Sequence, residues 1–197
     1  MQKKKNYTGL IILGAVLLFL VIFVVTTYNG IVKKDEKVKQ QWSEVQSTYQ
    51  RRLDLVPNLV NTVKGVSEFE SSTLEQIAAA RAEALSVRSA DELTAENVNA
   101  QQRAQDNLAN AANRLIVVVE KYPTLKGTAA YSGLQTQLEG TERRIKVARN
   151  DFNAAVADYN KQVRNFPGNI VARLFGYKPK EGFTADAGSD QSVEIKF

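Results

Sequence analysis

The chain opens on one unbroken apolar run and then settles into apolar stripes spaced three and four residues apart. No charged residue occurs from Asn6 to Val32, and the core of that stretch reads GLIILGAVLLFLVIFVV (Gly9–Val25), extended by Thr26, Thr27 and Tyr28. A helix needs about 20 apolar residues to cross the hydrocarbon of a bilayer, so the run predicts one transmembrane helix. Tyr7 and Tyr28 stand near its ends, where amphipathic rings favour the water interface, and Lys3, Lys4 and Lys5 precede it. These five are the expected membrane-interface residues. A cleaved signal peptide is the rival reading. The run is longer than an h-region of about 7–15 residues, and no convincing small-x-small cleavage site follows. With no cysteine for a lipid anchor, the segment reads as an uncleaved single-pass anchor.

Beyond the anchor the periodicity is helical. Val38, Trp42, Val45, Tyr49, Leu53 and Val56 recur at spacings of 4, 3, 4, 4 and 3. A second stripe continues through Val60, Val63, Val66, Phe69 or Glu70, Leu74, Ile77 and Ala84. A third carries Val98, Leu108, Leu115 and Tyr122, with Ala104, Ala111 and Val118 in the neighbouring row. The fourth runs Tyr131, Leu134, Leu138, Thr141, Ile145, Ala148, Phe152, Ala155, Tyr159, Gln162 or Val163, and Phe166. Such spacing gathers each set on one helix face, and that face must be buried against another helix. The breaks are legible as well. Ser86–Asn97 is a polar connection with candidate caps at Ser89 and Thr94, KYPTLKGTAA ends the third helix at Pro123 and contains Gly127, and NFPGN ends the fourth at Phe166–Pro167.

Pro57 stands in the middle of an otherwise continuous pattern. A proline inside a helix loses a hydrogen bond and clashes with the preceding turn, whereas in a first turn it loses nothing. With Asp54 as an N-cap, a new helix at Asp54–Pro57 divides the chain into helices at about 30–53, 55–88, 94–122 and 129–165, of comparable length as an up-and-down bundle requires. The alternative is one long helix kinked at Pro57. The expected fold is therefore all-α: a basic N-terminus and transmembrane helix (1–29), an antiparallel four-helix bundle with coiled-coil-like stripes (30–175), and a mostly irregular tail (176–197). Val193–Phe197 alternates apolar and polar residues, so a docking strand is an alternative to a disordered end.

Composition narrows the chemistry. Among 197 residues there is no cysteine and no histidine. That removes thiolate and imidazole metal sites, Cys and Ser-His nucleophilic systems, and Glu-x-x-His di-iron pairs. No P-loop, EF-hand loop or dinucleotide-binding turn is present, and Asp and Glu are scattered singly along the helices. The reading is no enzyme and no cofactor. The rival is a carboxylate-based metal-binding or catalytic bundle using residues such as Glu44, Asp54, Glu75, Glu83, Asp106, Glu142, Asp151 and Asp158, no two of which share a recognised ligand spacing. The net charge of +5 does not point to nucleic acid, because the lysines cluster beside the anchor and no basic stripe interleaves with aromatics. Arg51 and Arg52, like Arg143, Arg144 and Arg149, are expected to pair with carboxylates of neighbouring helices rather than to bind an anion. Asn58, Asn61, Asn150, Asn153 and Asn160 fit either the surface or register-fixing polar contacts. Lysine counting gives no orientation, since Lys33, Lys34, Lys37 and Lys39 come after the span. The compact Lys3–Lys5 cluster, unopposed by acids, favours an inside N-terminus and an extracytoplasmic bundle.

Three stretches resemble the LemA family. DEKVKQQWSEVQSTYQRRLDLVPNLVNTVKG (Asp35–Gly65) is similar to its opening signature, EKYPTLKG (Glu120–Gly127) to its central motif, and TERRIKVARNDFNAAVADYNKQVRNFPGNIVARLFGYK (Thr141–Lys178) to its C-terminal one. One departure is Gly65-Val66-Ser67, where the family often has Gly-Tyr-Ala. The resemblance covers about residues 30–180 and implies a bacterial, membrane-attached antiparallel helical bundle with no established reaction. Its motifs single out Gln50, Arg51, Arg52, Asp54, Pro57 and Asn58, and Tyr159, Asn160, Phe166 and Pro167, as contact residues. Family association with membrane proteases implies a protease or another envelope protein as partner. Relatives with lipoprotein-type signals have the bundle outside, and others are described with a cytoplasmic domain, so both orientations stay open. The functional expectation is an interaction or scaffold module that forms homo-oligomers, with membrane remodelling by assembled bundles as an alternative.

Overall fold

A computed structural model describes residues 8–64, 71–87 and 93–184. Among the described residues every regular element is helical: α1 Thr8–Lys64, α2 Ser71–Val87, α3 Ala95–Val119, α4 Pro123–Lys126, α5 Ala129–Arg164 and α6 Gly168–Leu174. Lys3, Lys4, Lys5, Tyr7, Val66, Phe69, Glu70, Ser89 and Val193–Phe197 lie outside the described residues. The chain divides into two compact units, one of residues 1–38 and 155–180, the other of residues 39–154 and 181–197.

In the second of these units the core is drawn from five helices. Leu53, Val56, Leu59 and Val63 of α1, Ile77 and Ala84 of α2, Leu108, Ala112, Leu115 and Val119 of α3, Leu125 of α4, and Tyr131 and Leu138 of α5 form one buried cluster. Leu53, Val56, Val63, Ile77, Ala84, Leu108, Leu115, Tyr131 and Leu138 are stripe positions, whereas Leu59, Ala112, Val119 and Leu125 join the core beside them and Val60, Tyr122 and Leu134 are only partly buried. Burying each large aliphatic side chain contributes on the order of 1.5–3 kcal/mol. Thr94 caps α3, its hydroxyl accepting from the Asn97 N–H at 3.2 Å. Pro123 opens α4 at a position whose N–H has no intrahelical partner.

Pro57 does not turn a corner. It lies inside α1, which runs unbroken from the apolar segment to Lys64, so anchor and first core helix are one element rather than separate helices meeting near residue 30. The expected N-cap, Asp54, is likewise an interior, exposed residue whose carboxylate accepts from Gln50 Nε2 at 2.7 Å. The physical reason is visible one turn back. Proline cannot donate to the Leu53 carbonyl, and Arg81 of α2 donates to it instead through Nε at 3.2 Å. The lost helix bond is replaced from outside, which removes much of the cost of an interior proline.

In the other unit, the apolar part of α1 is bare: Leu10 to Val25 are mostly exposed, over a length and composition fit to cross a membrane. Further along, Ile31 and Val38 are buried, as are Val156, Tyr159 and Val163 of α5 and Val171 and Ala172 of α6. A Cβ at Gly168 would lie 2.6 Å from the Gln162 carbonyl oxygen, so α6 can begin this close to the end of α5 only with glycine. At its other end Gly176 has φ +76°, the Gly176 N–H reaches the Arg173 carbonyl, and the Tyr177 N–H reaches the Ala172 carbonyl at 2.9 Å. This Schellman arrangement stops α6 and sends the chain into an irregular strap over residues 177–184.

Candidate functional site

Two polar constellations lie in the larger unit. Arg52 of α1 is 1% exposed. Its Nε donates to Glu142 Oε1 of α5 at 2.8 Å, its Nη2 pairs with the other carboxylate oxygen, and its Nη1 donates to the carbonyl and side-chain oxygens of Gln105 of α3 at 2.9 and 3.2 Å. The bidentate fork satisfies the guanidinium and fixes three helices against one another. The second constellation centres on Arg149 of α5. Its Nη2 donates to Asp106 Oδ1 of α3 at 2.7 Å and its Nε to Tyr49 Oη of α1 at 2.9 Å, while its guanidinium stands 5.3 Å from the Phe183 ring centroid. Burial pushes the Tyr49 hydroxyl above the usual phenol range, against the lowering effect of Arg149. Burial works against charge on Arg149, but Tyr49 and Asp106 outweigh it and hold the guanidinium protonated. Among the described residues no group of three or more Asp, Glu, His or Cys converges as metal ligands would.

The strap is held by asparagines. In one unit, Asn160 accepts the Lys180 N–H at 2.8 Å and donates to the Lys180 carbonyl at 2.7 Å. Tyr159 donates to the Lys178 carbonyl at 2.9 Å, and Lys180 Nζ pairs with Asp35 at 3.0 Å. In the other unit, Asn153 makes the same two-point contact to Phe183, accepting its N–H at 2.8 Å and donating to its carbonyl at 3.2 Å. The Phe183 ring packs 5.3 Å from Phe152 and 5.9 Å from Trp42. A carboxamide matched to both polar groups of one residue imitates a strand neighbour, and it holds main chain whatever side chain that residue bears. Burial, then Asp35 and Tyr177, push the Tyr159 hydroxyl up to about 12.

The sequence-derived contact residues thus separate into distinct settings. Arg51, Asp54 and Asn58 lie exposed on one face of α1, Gln50 is half-buried beside them, and Arg52 and Pro57 belong to the packing just described. Tyr159 and Asn160 hold the strap, whereas Phe166 is 79% exposed instead of ending the buried stripe of α5. Tyr28 packs on Phe175 with ring centroids 4.7 Å apart. Sequence reasoning missed the role of Arg81 and the helix α6, and it named Asn153 as a candidate for polar contacts without its partner Phe183. The seven-residue spacing of Asn153 and Asn160, which sets both on one face of α5, is a signal that could have paired them.

The sequence model of the LemA family matches residues 41–197, which takes in both arginine constellations and both asparagine contacts. The chain belongs to the LemA family. Among curated relatives it is 26% identical over 184 residues to magnetosome protein MamQ 2 of Paramagnetospirillum magneticum (strain AMB-1), covering 84% of this chain and 68% of that protein. It is 26% identical over 204 residues to magnetosome protein MamQ of Magnetospirillum gryphiswaldense, covering 93% of this chain and 75% of the relative. Coverage that extensive takes in part of the apolar N-terminal segment as well as the LemA region. Protein LemA of Metamycoplasma hominis is 24% identical over 145 residues, covering 74% of this chain and 63% of that protein.

Proposed function

We propose that this LemA-family protein is a non-enzymatic, single-pass membrane protein whose α1, α2, α3 and α5 form an antiparallel four-helix bundle, and that the bundle is a scaffold that assembles with itself and with envelope proteins such as membrane proteases. One observation carries the reading. A surface groove of about 290 Å³ between α1 and α5 has Glu44 and Asp151 as acidic lining, Arg143 and Arg144 as basic lining, and Val147, 59% exposed, as apolar lining. A patch carrying both signs around an apolar point is complementary to itself, as an isologous contact between identical subunits requires. The ion pairs support the same reading, since the buried Arg52 with the partly exposed Glu142, and the partly exposed Arg149 with Asp106, hold helices together. Membrane anchoring raises the local concentration and favours assembly of weak contacts. With the N-terminus inside, the bundle stands outside the cytoplasm.

The test is the mass of the full chain in mild detergent, before and after cross-linking. The wild type is expected to show dimers or higher species, and Val147→Lys, which puts a charge on the apolar lining of the groove, is expected to reduce them severalfold with helix content unchanged. A strictly monomeric wild type that also captures no partner would sink the proposal.

A further inference from the structure

The apolar run of α1 is not the sole bare apolar surface in its unit. Phe166, Ile170 and Leu174 are 79%, 59% and 71% exposed, and the latter two share the face of α6 opposite the buried Val171 and Ala172. Left in water, such a cluster forfeits about 25 cal/mol for each Å² of apolar area. Its position says what covers it. Phe166 and Pro167 line one cleft with Phe23 and Thr27 of α1, so the turn ahead of α6 stands level with the last turns of the apolar run. Phe175 packs on Tyr28, where a span of about 20 residues beginning at Gly9 ends. Charge agrees. Residues 155–180 carry Lys161, Arg164, Arg173, Lys178 and Lys180 against the single acid Asp158, and the first three are exposed.

We propose that α6 and the turn before it lie in the interfacial layer of the membrane that α1 crosses. Phe166, Ile170 and Leu174 dip into the acyl boundary of that leaflet, and Lys161, Arg164 and Arg173 meet anionic lipid headgroups. This is the amphipathic arrangement that holds a helix in the membrane plane, with cations near the surface adding attraction to acidic lipids. The inference rests on the reading of α1 as a membrane span.

The absence of cysteine makes each engineered one a unique labelling position. Full-length Leu18→Cys, Ile170→Cys and Asn113→Cys, each carrying a nitroxide, are reconstituted into phosphatidylcholine vesicles with and without phosphatidylglycerol. Collision with oxygen and with a water-soluble nickel chelate then reports depth, and circular dichroism verifies the fold of each variant. The expected result is a hydrocarbon signal at 18, an interfacial signal at 170 with loss of nickel access, and an aqueous signal at 113. Residue 170 is expected to lie deeper when phosphatidylglycerol is present, and Lys161→Gln with Arg173→Gln is expected to abolish that difference. An aqueous signal at 170 beside a hydrocarbon signal at 18 overturns this inference alone, and an aqueous signal at 18 overturns the span reading beneath it. Broadening at 170 that vanishes on dilution with unlabelled chain gives the face to a second copy and overturns the proposal. Equal depth in both lipids overturns its electrostatic part.

Discussion

Burying the Arg52 guanidinium takes a full charge out of water, and only well-placed acceptors offset that cost. Glu142 and Gln105 supply them from two other helices, so Arg52→Leu strands acceptors that were arranged around a cation. Because the Glu142 side chain is 38% exposed and rehydrates, the expected loss is about 2 kcal/mol rather than the 3–5 of a fully enclosed pair. Urea unfolding of the purified chain measures it, with Arg51→Ala, an exposed neighbour, expected within about 0.5 kcal/mol of wild type. Tyr159 bears on the alkaline limb. Its folded hydroxyl keeps its proton to about 12 against an ordinary 10.0, so the unfolded chain releases that proton first. The contribution of Tyr159 is therefore fully present below pH 10 and is lost as pH rises towards 12. Absorbance of tyrosinate during alkaline titration is expected to show a late-ionising group, missing from Tyr159→Phe. That Arg52 belongs on a helix flank was legible in the sequence. Its complete burial was not, because Glu142 lies 90 residues away along the chain.

A single proline governed the expected division of the helices, and a single arginine reversed it. In α1 the carbonyl of Leu53 loses its donor to Pro57 and regains one from Arg81, 28 residues on. A double-mutant cycle isolates this replacement. Arg81→Ala is expected to cost about 1 kcal/mol with Pro57 present, where it leaves the carbonyl unpaired, and close to nothing in the Pro57→Ala background, where the alanine N–H donates instead. Equal costs in the two backgrounds would show that Arg81 acts elsewhere. The stripes of α1, α3 and α5 were readable because helix periodicity is local. Helix α6 was not, since seven residues after Pro167 hold barely two turns and its exposed apolar positions break the inward pattern.

For the whole molecule, sidedness decides which partners are reachable. With a tag after Phe197, protease added to intact spheroplasts is expected to remove the tag, as an extracytoplasmic bundle requires. A protected tag instead directs the search to cytoplasmic partners. Membership of the LemA family, matched over residues 41–197, says that the arginine constellations and the asparagine contacts lie in the region by which the family is defined. The strap changes the reading of the C-terminal segment: residues 177–184 are irregular, as their polar composition predicts, yet their main chain is held at Lys178, Lys180 and Phe183.

Taken alone, the sequence determined the apolar N-terminal run, the helical character of the chain beyond it, most of the buried stripe positions and the family resemblance. Each depends on residue types at short spacing, where hydrophobic burial and helix geometry act on neighbours. Only the tertiary structure decided that α1 continues through Pro57, that Arg52 is enclosed, that asparagines of α5 hold the strap, and that the apolar residues of α6 stand bare beside the end of the apolar run. Each of these turns on a partner remote in sequence: a donor for an orphaned carbonyl, acceptors for a buried cation, a carboxamide for an irregular main chain. Spacing along the chain does not encode which distant group arrives.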